Sequence, residues 1–355
     1  MKPFVYNALP ARVIFGGTLS QLAQEVKRLG CSKALILTTP QQIKEGEDAR
    51  AHLRELAVGV CNDATMHTPT HVTNSAVELA NKLACDCLVA IGGGSTTGLA
   101  KAIALRTDLP QIVVPTTYAG SEATPIIGQT ENGQKTTQKT LKVLPEVILY
   151  DVSLTLTLPP QMTITSGFNA IAHAVEALYS PESNPIIDSL AEQGISSIAR
   201  SLPRIIKSPN DTDARSDALF GAWACGTCLG AVGMALHHKL CHTLGGSFNL
   251  PHAETHTIIL PHAMAYNAPY APEAMAKISR ALGTETVGKS AAQEIFDLAK
   301  LLGAPISLKE LGLREEDLDR AADIAAGNPY PNPAALERDK LRKLLGNAWA
   351  GNRPE

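Results

Sequence analysis

The sequence predicts an α/β domain with a parallel sheet in its first half and an all-helical domain in its second. Two observations predict this. Between Val13 and Asp151, short apolar runs end repeatedly at glycine or polar residues and give way to amphipathic segments. Beyond Leu158-Pro159-Pro160 the strand-like runs stop, and alanine-rich helical periodicity continues to the C-terminal region. Continuously apolar strands alternating with helices imply a parallel sheet covered on both faces, and a double proline interrupts either kind of element. The expected domains are therefore residues 1–158 and 159–355, and a length of 355 residues suits two.

In order, Val13-Ile14-Phe15 opens the first domain, and the later strand candidates are residues 33–39, 87–92, 111–115 and 147–151. Segments 74–84 and 97–105 read as helices between them. In the second half, helical patterns cover 161–179, 186–203, 212–244, 271–283, 289–302, 315–326 and 335–349. Asn328-Pro329-Tyr330-Pro331-Asn332-Pro333 cannot continue a helix and reads as a surface connection.

Composition narrows the function classes. An apolar content of 45% with 18% charged residues is that of a folded protein with an ample core. A net charge of -3, with two Trp, six Phe and seven Tyr, gives neither a basic field nor stacking platforms, so no nucleic-acid partner is expected. No apolar run approaches the roughly 18 residues of a membrane span, and no hydrophobic leader follows Met1. The expectation is no membrane partner and a cytoplasmic location. Seven cysteines outline no disulfide framework. Cys225-Gly226-Thr227-Cys228 has no second CxxC and lies in a small, apolar helical stretch, so packing is expected there, as for Cys85-Asp86-Cys87 beside a strand.

Ile91-Gly92-Gly93-Gly94-Ser95-Thr96-Thr97-Gly98 places three glycines and a hydroxyl between a strand and a helix. Backbone amides without neighbouring Cβ atoms approach a phosphate closely, and a helix N-terminus favours the anion. The run is neither GxGxxG nor a Walker loop, and a tight turn is the plain alternative. A second hydroxyl-rich strand end, Pro115-Thr116-Thr117-Tyr118-Ala119-Gly120-Ser121, strengthens the phosphate reading. In open α/β sheets such strand ends face one ligand crevice.

Six of the ten histidines fall between positions 237 and 262. On a helix, His238 and His242 lie one turn apart, as do Asn169 and His173, with His252 placed on a following loop. Such a constellation can hold a metal ion or polarise a carbonyl. Any one of these histidines alone reads as a structural residue; together they point to a site. His237, His256, Lys239 and Lys135 are candidates to attract substrate carboxylates, but each reads more readily as a solvated residue near a polar cleft.

Taken together, Gly-Gly-Gly-Ser at 92–95, Pro-Thr-Thr at 115–117, Ser-Gly-x-Asn-Ala-x-x-His at 166–173, His-x-x-x-His-x-Leu-Gly at 238–245 and Pro-His at 251–252 resemble the iron-containing alcohol dehydrogenase family over nearly the whole chain. The opening 4–16, Asn169 and Asn328-Pro329-Tyr330 are similar in particular to the members of that family that reduce maleylacetate. The resemblance implies the dehydroquinate synthase-like fold: a nucleotide-binding α/β domain and a helical catalytic domain, with the active site between them. It also implies NADH or NADPH as cofactor, a small dicarboxylate substrate and a homodimer. Pyrophosphate contacts carry over to Gly93, Gly94 and Ser95, and further cofactor contacts to Thr116, Thr117 and Ser121. Thr39 stands where NAD-selective relatives place an aspartate against the adenosine ribose, so charge does not exclude NADPH.

Metal-bearing members hold the ion with an aspartate and three histidines, positions that here are Asn169, His173, His238 and His252. An asparagine amide brings no negative charge, so the expectation is that no metal is required and that these four side chains hold substrate oxygens. His242 matches a histidine that is not a ligand in the family and is the expected proton donor. The expected reaction is reduction of the carbon–carbon double bond of maleylacetate to 3-oxoadipate during the breakdown of aromatic compounds. The alternative is a metal-dependent dehydrogenase of a small alcohol or aldehyde, marked by a need for added iron or zinc. Consumption of reduced cofactor with maleylacetate separates both the alternative and two other classes, a dehydroquinate synthase-like elimination and a non-catalytic nucleotide-binding module.

Overall fold

The computed structural model describes residues 3–131, 134–283, 288–327 and 330–355. Two compact units divide the chain, one of residues 9–158 and one of residues 159–355, with residues 3–8 grouping with the second. The sequence reading had placed 3–8 in the first unit. They contain no helix or strand that would tie them to its sheet.

The first unit contains the strands β1 (Arg12–Phe15), β2 (Ala34–Leu37), β3 (Ala57–Cys61), β4 (Cys87–Gly92), β5 (Gln111–Pro115), β6 (Ile126–Glu131), β7 (Gln134–Lys139) and β8 (Val147–Tyr150). Six form a parallel sheet in the order β1-β8-β5-β4-β2-β3. Among the described residues its α-helices are α1 (Leu22–Arg28), α2 (Ile43–Leu53), α3 (Thr70–Lys82) and α4 (Gly94–Thr107). Side chains alternate along the strands, so each strand serves two cores. Ile36, Val89, Ile91 and Val114 meet Leu22, Val26 and Leu53 on one face, while Leu35, Leu37, Leu88 and Val113 meet Ala76, Leu99 and Ile103 on the other. That double burial is why these strands read as unbroken apolar runs.

β3 and the antiparallel hairpin β6–β7 are absent from the strands expected from sequence. β3 is short, half-buried and at the sheet edge. The hairpin forms a separate two-stranded ribbon whose outer half, Gln129-Thr130-Glu131 against Gln134-Lys135-Thr136, carries no apolar alternation to reveal it. Strand order reverses between β2, which is followed outward by β3, and β4, which is followed in the other direction by β5. In such sheets, ligands bind beyond the carboxyl ends of the strands at the reversal.

The second unit is helical: α5 (Pro160–Leu178), α6 (Pro185–Lys207), α7 (Thr212–Ala231), α8 (Leu236–Phe248), α9 (His252–Asn267), α10 (Pro272–Leu282), α11 (Ala291–Leu301), α12 (Leu318–Gly327) and α13 (Arg338–Ala350). Side-chain caps begin several of them. Asn184 accepts from the amides of Ile186 and Ile187, Asp211 accepts from Ala214, and Ser290 with Gln293 forms a capping box. α5 runs through the middle, buried from Thr163 to Leu178. α6 and α7 approach closely at Gly194 and Gly221, where an added Cβ would lie 2.6 Å from Cys225 Sγ and 2.6 Å from Ile198 Cγ1 respectively.

Two expectations fail here. The single helix over 212–244 is two helices, α7 and α8, that meet at 96°. Val232 and Ala235 leave helical dihedrals around Gly233, yet apolar periodicity continues on both sides and conceals the break. His252 is not on a loop but is the first residue of α9, a helix that Pro261 in its interior masks in the sequence. Among the described residues, no single helix is long and apolar enough to cross a membrane.

Candidate active site

In the sheet unit, β4 turns into α4 at Gly92 with φ +152°, and a Cβ there would come within 2.4 Å of Thr96 Oγ1. At Gly93 it would lie 2.8 Å from Thr117 Cγ2. The protein's own packing therefore demands these two glycines. Gly94 differs, because its Cβ would meet only Ser121 Oγ, at 4.0 Å. Ser121 Oγ is itself buried without a hydrogen-bond partner. Gly94 and Ser121 thus form an open cradle at the first turn of α4, which Ser95 also occupies, and the exposed helix amides suit a phosphate oxygen.

The neighbouring strand ends are tied to this turn. The Thr116 amide donates to Gly92 O at 3.0 Å, and Gln42 Nε2 donates to Thr116 Oγ1 at 3.0 Å. Thr39, half-buried just past β2, donates from Oγ1 to Gln42 Oε1 at 3.3 Å. Thr39, Gly93, Gly94, Ser95, Thr116, Thr117 and Ser121 are accordingly gathered at the carboxyl ends of β2, β4 and β5, where the strand order reverses.

Lys101 escaped the sequence reading. Fully buried on α4, its ammonium donates to Ser121 O (2.6 Å), Thr124 O (2.7 Å), Thr124 Oγ1 (2.9 Å) and Ile126 O (2.9 Å). Burial pushes it down to about 7, with Glu122 opposing the shift. Tyr150 Oη donates to Glu122 Oε1 at 2.8 Å, and burial raises the Glu122 carboxyl. The segment bearing Ser121 is thereby held from both α4 and β8. The available signal was a lone lysine on an otherwise apolar helix, between Ala100 and Ala102-Ile103-Ala104.

In the helical unit, Asn169, His173 and Glu176 share one face of α5 and are all buried. His238 on α8 meets two of them, with Nδ1 at 2.7 Å from Glu176 Oε2 and Nε2 at 2.9 Å from His173 Nδ1. With the carboxylate as acceptor, the network assigns the His238 proton to Nδ1, so that Nε2 accepts from His173 Nδ1–H. Glu176 also accepts the amides of Ala235 (2.8 Å) and His237 (2.7 Å). α8 has no side-chain cap of its own; a carboxylate from α5 takes that place, where the helix dipole favours negative charge. Sequence reasoning missed Glu176, although its spacing of seven from Asn169 and three from His173 was visible.

His242 lies one turn beyond His238, with ring centroids 6.1 Å apart, and its Nδ1 is 3.1 Å from Tyr330 Oη. The His252 ring lies 4.3 Å from that of His256, which in turn lies 5.0 Å from His238. His237 Nε2 and His256 Nδ1 share a hydrogen bond of 2.9 Å. Burial, reinforced by the surrounding imidazoles, holds both rings well below the usual histidine range, so they are neutral.

These positions correct the expectation of solvated residues, since His237 and His256 are fully buried and Lys239 is 9% exposed. The Lys239 ammonium lies 5.6 Å from the centre of the Tyr330 ring. Tyr330 thus belongs to the histidine cluster and not to a mere surface connection; Asn328 and Pro329 lie outside the described residues, as does the side chain of Lys135. Cys225 and Cys228 are buried within α7, and burial pushes the Cys228 thiol up to about 12.

A glycine turn suited to a phosphate and a cluster of neutral and carboxylate-oriented imidazoles are the two kinds of feature that hydride chemistry on a carbon centre uses. The class so defined is a nicotinamide-dependent oxidoreductase. The chain belongs to the iron-containing alcohol dehydrogenase family: the family model of that name matches residues 10–152, and the model of the family's C-terminal part matches residues 163–349. It is 53% identical over 356 residues to a maleylacetate reductase of Rhizobium sp. (strain MTP-10005), covering 100% of both chains. It is 53% identical over 355 residues to one of Burkholderia cepacia, again with 100% of both chains covered. The crystal structure of maleylacetate reductase from Agrobacterium tumefaciens superimposes with a TM-score of 0.95 at 53% identity, over 100% of each chain.

Proposed function

We propose that this enzyme reduces the carbon–carbon double bond of maleylacetate to 3-oxoadipate with NADH or NADPH, as a late step in the breakdown of aromatic compounds in the cytoplasm. The observation that carries this reading is the full-length 53% identity to reductases named for that substrate. Hydride adds to the carbon β to the ketone, and the electron pair of the double bond moves onto the ketone oxygen as an enolate. Imidazole N–H groups of the cluster stabilise that oxygen. His242 then gives its proton to the neighbouring carbon, and the ketone reforms. Asn169 and His252 hold the substrate's oxygens, while His173 and His238, hydrogen-bonded to each other at 2.9 Å, shape the pocket around them. Gly93, Gly94 and Ser95 hold the pyrophosphate, with Thr116, Thr117 and Ser121 completing the cofactor site and Thr39 facing the ribose. A homodimer belongs to the same reading and is checked by light scattering.

The family name points to iron, but the residues at the family's ligand positions fit a dication poorly. Asn169 is neutral, and His238 Nε2 is already engaged by His173 Nδ1 at 2.9 Å. Among the described residues, the trios of metal-binding atoms within 4.8 Å of one another are His237–Cys241–His256 and Cys31–Asp86–Cys87, neither of them at those positions. We therefore read the reduction as metal-independent. A metal-dependent alcohol dehydrogenase is the second reading, favoured by the family models. The test is oxidation of NADH and NADPH with maleylacetate, with and without chelator, beside oxidation of ethanol, propanediol and glycerol with added iron or zinc. Folded protein that leaves reduced cofactor untouched in the presence of maleylacetate refutes the proposal.

A further inference from the structure

Among the described residues, a lysine of α8 whose side chain is largely covered has no counter-ion. Lys239 is 9% exposed, and among the described residues its ammonium makes no ion pair and no hydrogen bond. A lysine covered to this degree keeps its stem against protein and gains from a partner for its partly desolvated charge. The buried carboxylate of α5 cannot serve: Glu176 is directed at the start of α8, where it accepts from Ala235, His237 and His238. What Lys239 does meet is the ring of Tyr330, 5.6 Å from Nζ. Tyr330 in turn reaches His242 Nδ1 with its hydroxyl at 3.1 Å. Lys239 and His242 are three apart on α8 and so lie on neighbouring faces of the helix. Ammonium, phenol and imidazole form one continuous row.

We propose that Lys239 binds a carboxylate of the substrate, with the Tyr330 ring as the wall between that carboxylate and the imidazole of His242. The assignment rests on the reading of the substrate as a dicarboxylate. An anionic substrate brings the counter-ion that the protein withholds, and a protein carboxylate at the same place would have repelled it. The row also spaces the reaction: one end of the substrate is fixed by charge at Lys239, and its reactive carbons are presented to the proton donor beyond the ring. A neutral small alcohol would leave the ammonium unpaired, so the same residue selects against the substrates of the second reading.

The experiment compares Lys239→Met and Lys239→Arg with wild type by steady-state kinetics, varying maleylacetate and NADH separately. In Lys239→Met, loss of a charge-assisted contact raises the KM for maleylacetate by about tenfold or more, while the KM for NADH stays near wild type. Lys239→Arg keeps the charge and recovers part of the loss. In wild type, kcat/KM for maleylacetate falls as ionic strength rises, and in Lys239→Met this dependence weakens. An unchanged KM for maleylacetate in Lys239→Met, a defect confined to kcat, or an arginine variant no better than methionine overturns the assignment. If Lys239→Met does not fold, a wild-type kcat/KM indifferent to salt overturns it instead. Wild-type turnover of maleylacetate is the control for the function itself: its absence refutes that reading, whereas turnover with an unmoved KM in the variant refutes Lys239 alone.

Discussion

Glu176 on α5 accepts the Nδ1 proton of His238 on α8 at 2.7 Å, and the same carboxylate takes up the amides that open α8. One side chain therefore sets both where the helix starts and which nitrogen of its imidazole faces His173. An orienting carboxylate behind a functional histidine commonly governs its tautomer.

Replacement of Glu176 by Gln should accordingly damage stability and activity together. The amide offers one oxygen where the carboxylate offers two, and its NH2 would face groups that are themselves donors. Unfolding in urea should show a loss of about 3 kcal/mol, and kcat should fall about tenfold to a hundredfold. Wild-type values of both would show that His238 is oriented by something else.

His242→Ala should lower kcat by about 10² to 10⁴ while leaving NADH binding near wild type, because the imidazole is assigned to proton transfer and not to phosphate. Tyr330→Phe removes only the hydroxyl at 3.1 Å and should cost about fivefold in kcat. Single-turnover kinetics alongside equilibrium titration of NADH separates chemistry from binding. An undiminished kcat in His242→Ala removes it from the mechanism.

Thr39→Asp places a carboxylate just past β2, where a ribose 2′-phosphate would lie. The KM for NADPH should rise at least about tenfold more than that for NADH. Equal changes in the two would mean that the residue does not face the ribose.

Exhaustive dialysis against EDTA should leave maleylacetate reduction intact, because Asn169 contributes no charge opposite a dication and His238 is already engaged. Elemental analysis of the dialysed protein is the companion measurement. Stoichiometric iron or zinc, with activity lost on removal and restored on return, would reverse the conclusion.

Stability should fall in mild acid. Burial lowers His262 from 6.5 to about 4, so between those values the unfolded chain binds a proton that the folded chain refuses. The contribution is therefore fully present above about pH 6.5, shrinks as pH falls below it, and amounts to about 3 kcal/mol at most. Urea midpoints measured from pH 7.5 to 4.5 should decline, and His262→Asn should flatten that decline. Parallel curves for the two proteins would show that His262 is not the titrating group.

The parallel sheet was legible because burial on both faces writes continuous apolar runs such as Leu35-Ile36-Leu37 and Leu88-Val89-Ala90-Ile91. The hairpin β6–β7 was not, since its pairing rests on backbone bonds between strands that are mostly polar. The i, i+4 pairs Asn169/His173 and His238/His242 could be placed on helices from spacing alone. What spacing could not give was the partner of each imidazole: Glu176 and Tyr330 are 62 and 88 residues from the histidines they contact. Lys239 looked like a surface residue, and Lys101 escaped notice, because burial of a lysine depends on acceptors and cavities that no local pattern encodes.

The right-angled link between α7 and α8 has a consequence for how such chains can change length over generations. Because α8 is started by a carboxylate from α5 rather than by its own residues, the angular position of every side chain along it is counted from Ala235. An extra residue among Val232, Gly233 and Met234 lies upstream of that count and leaves His238 and His242 in phase. The same insertion between the two histidines would turn His242 by about 100° relative to His238 and carry it off Tyr330. Insertions and deletions should therefore accumulate in the link and be purged from the turn that follows it.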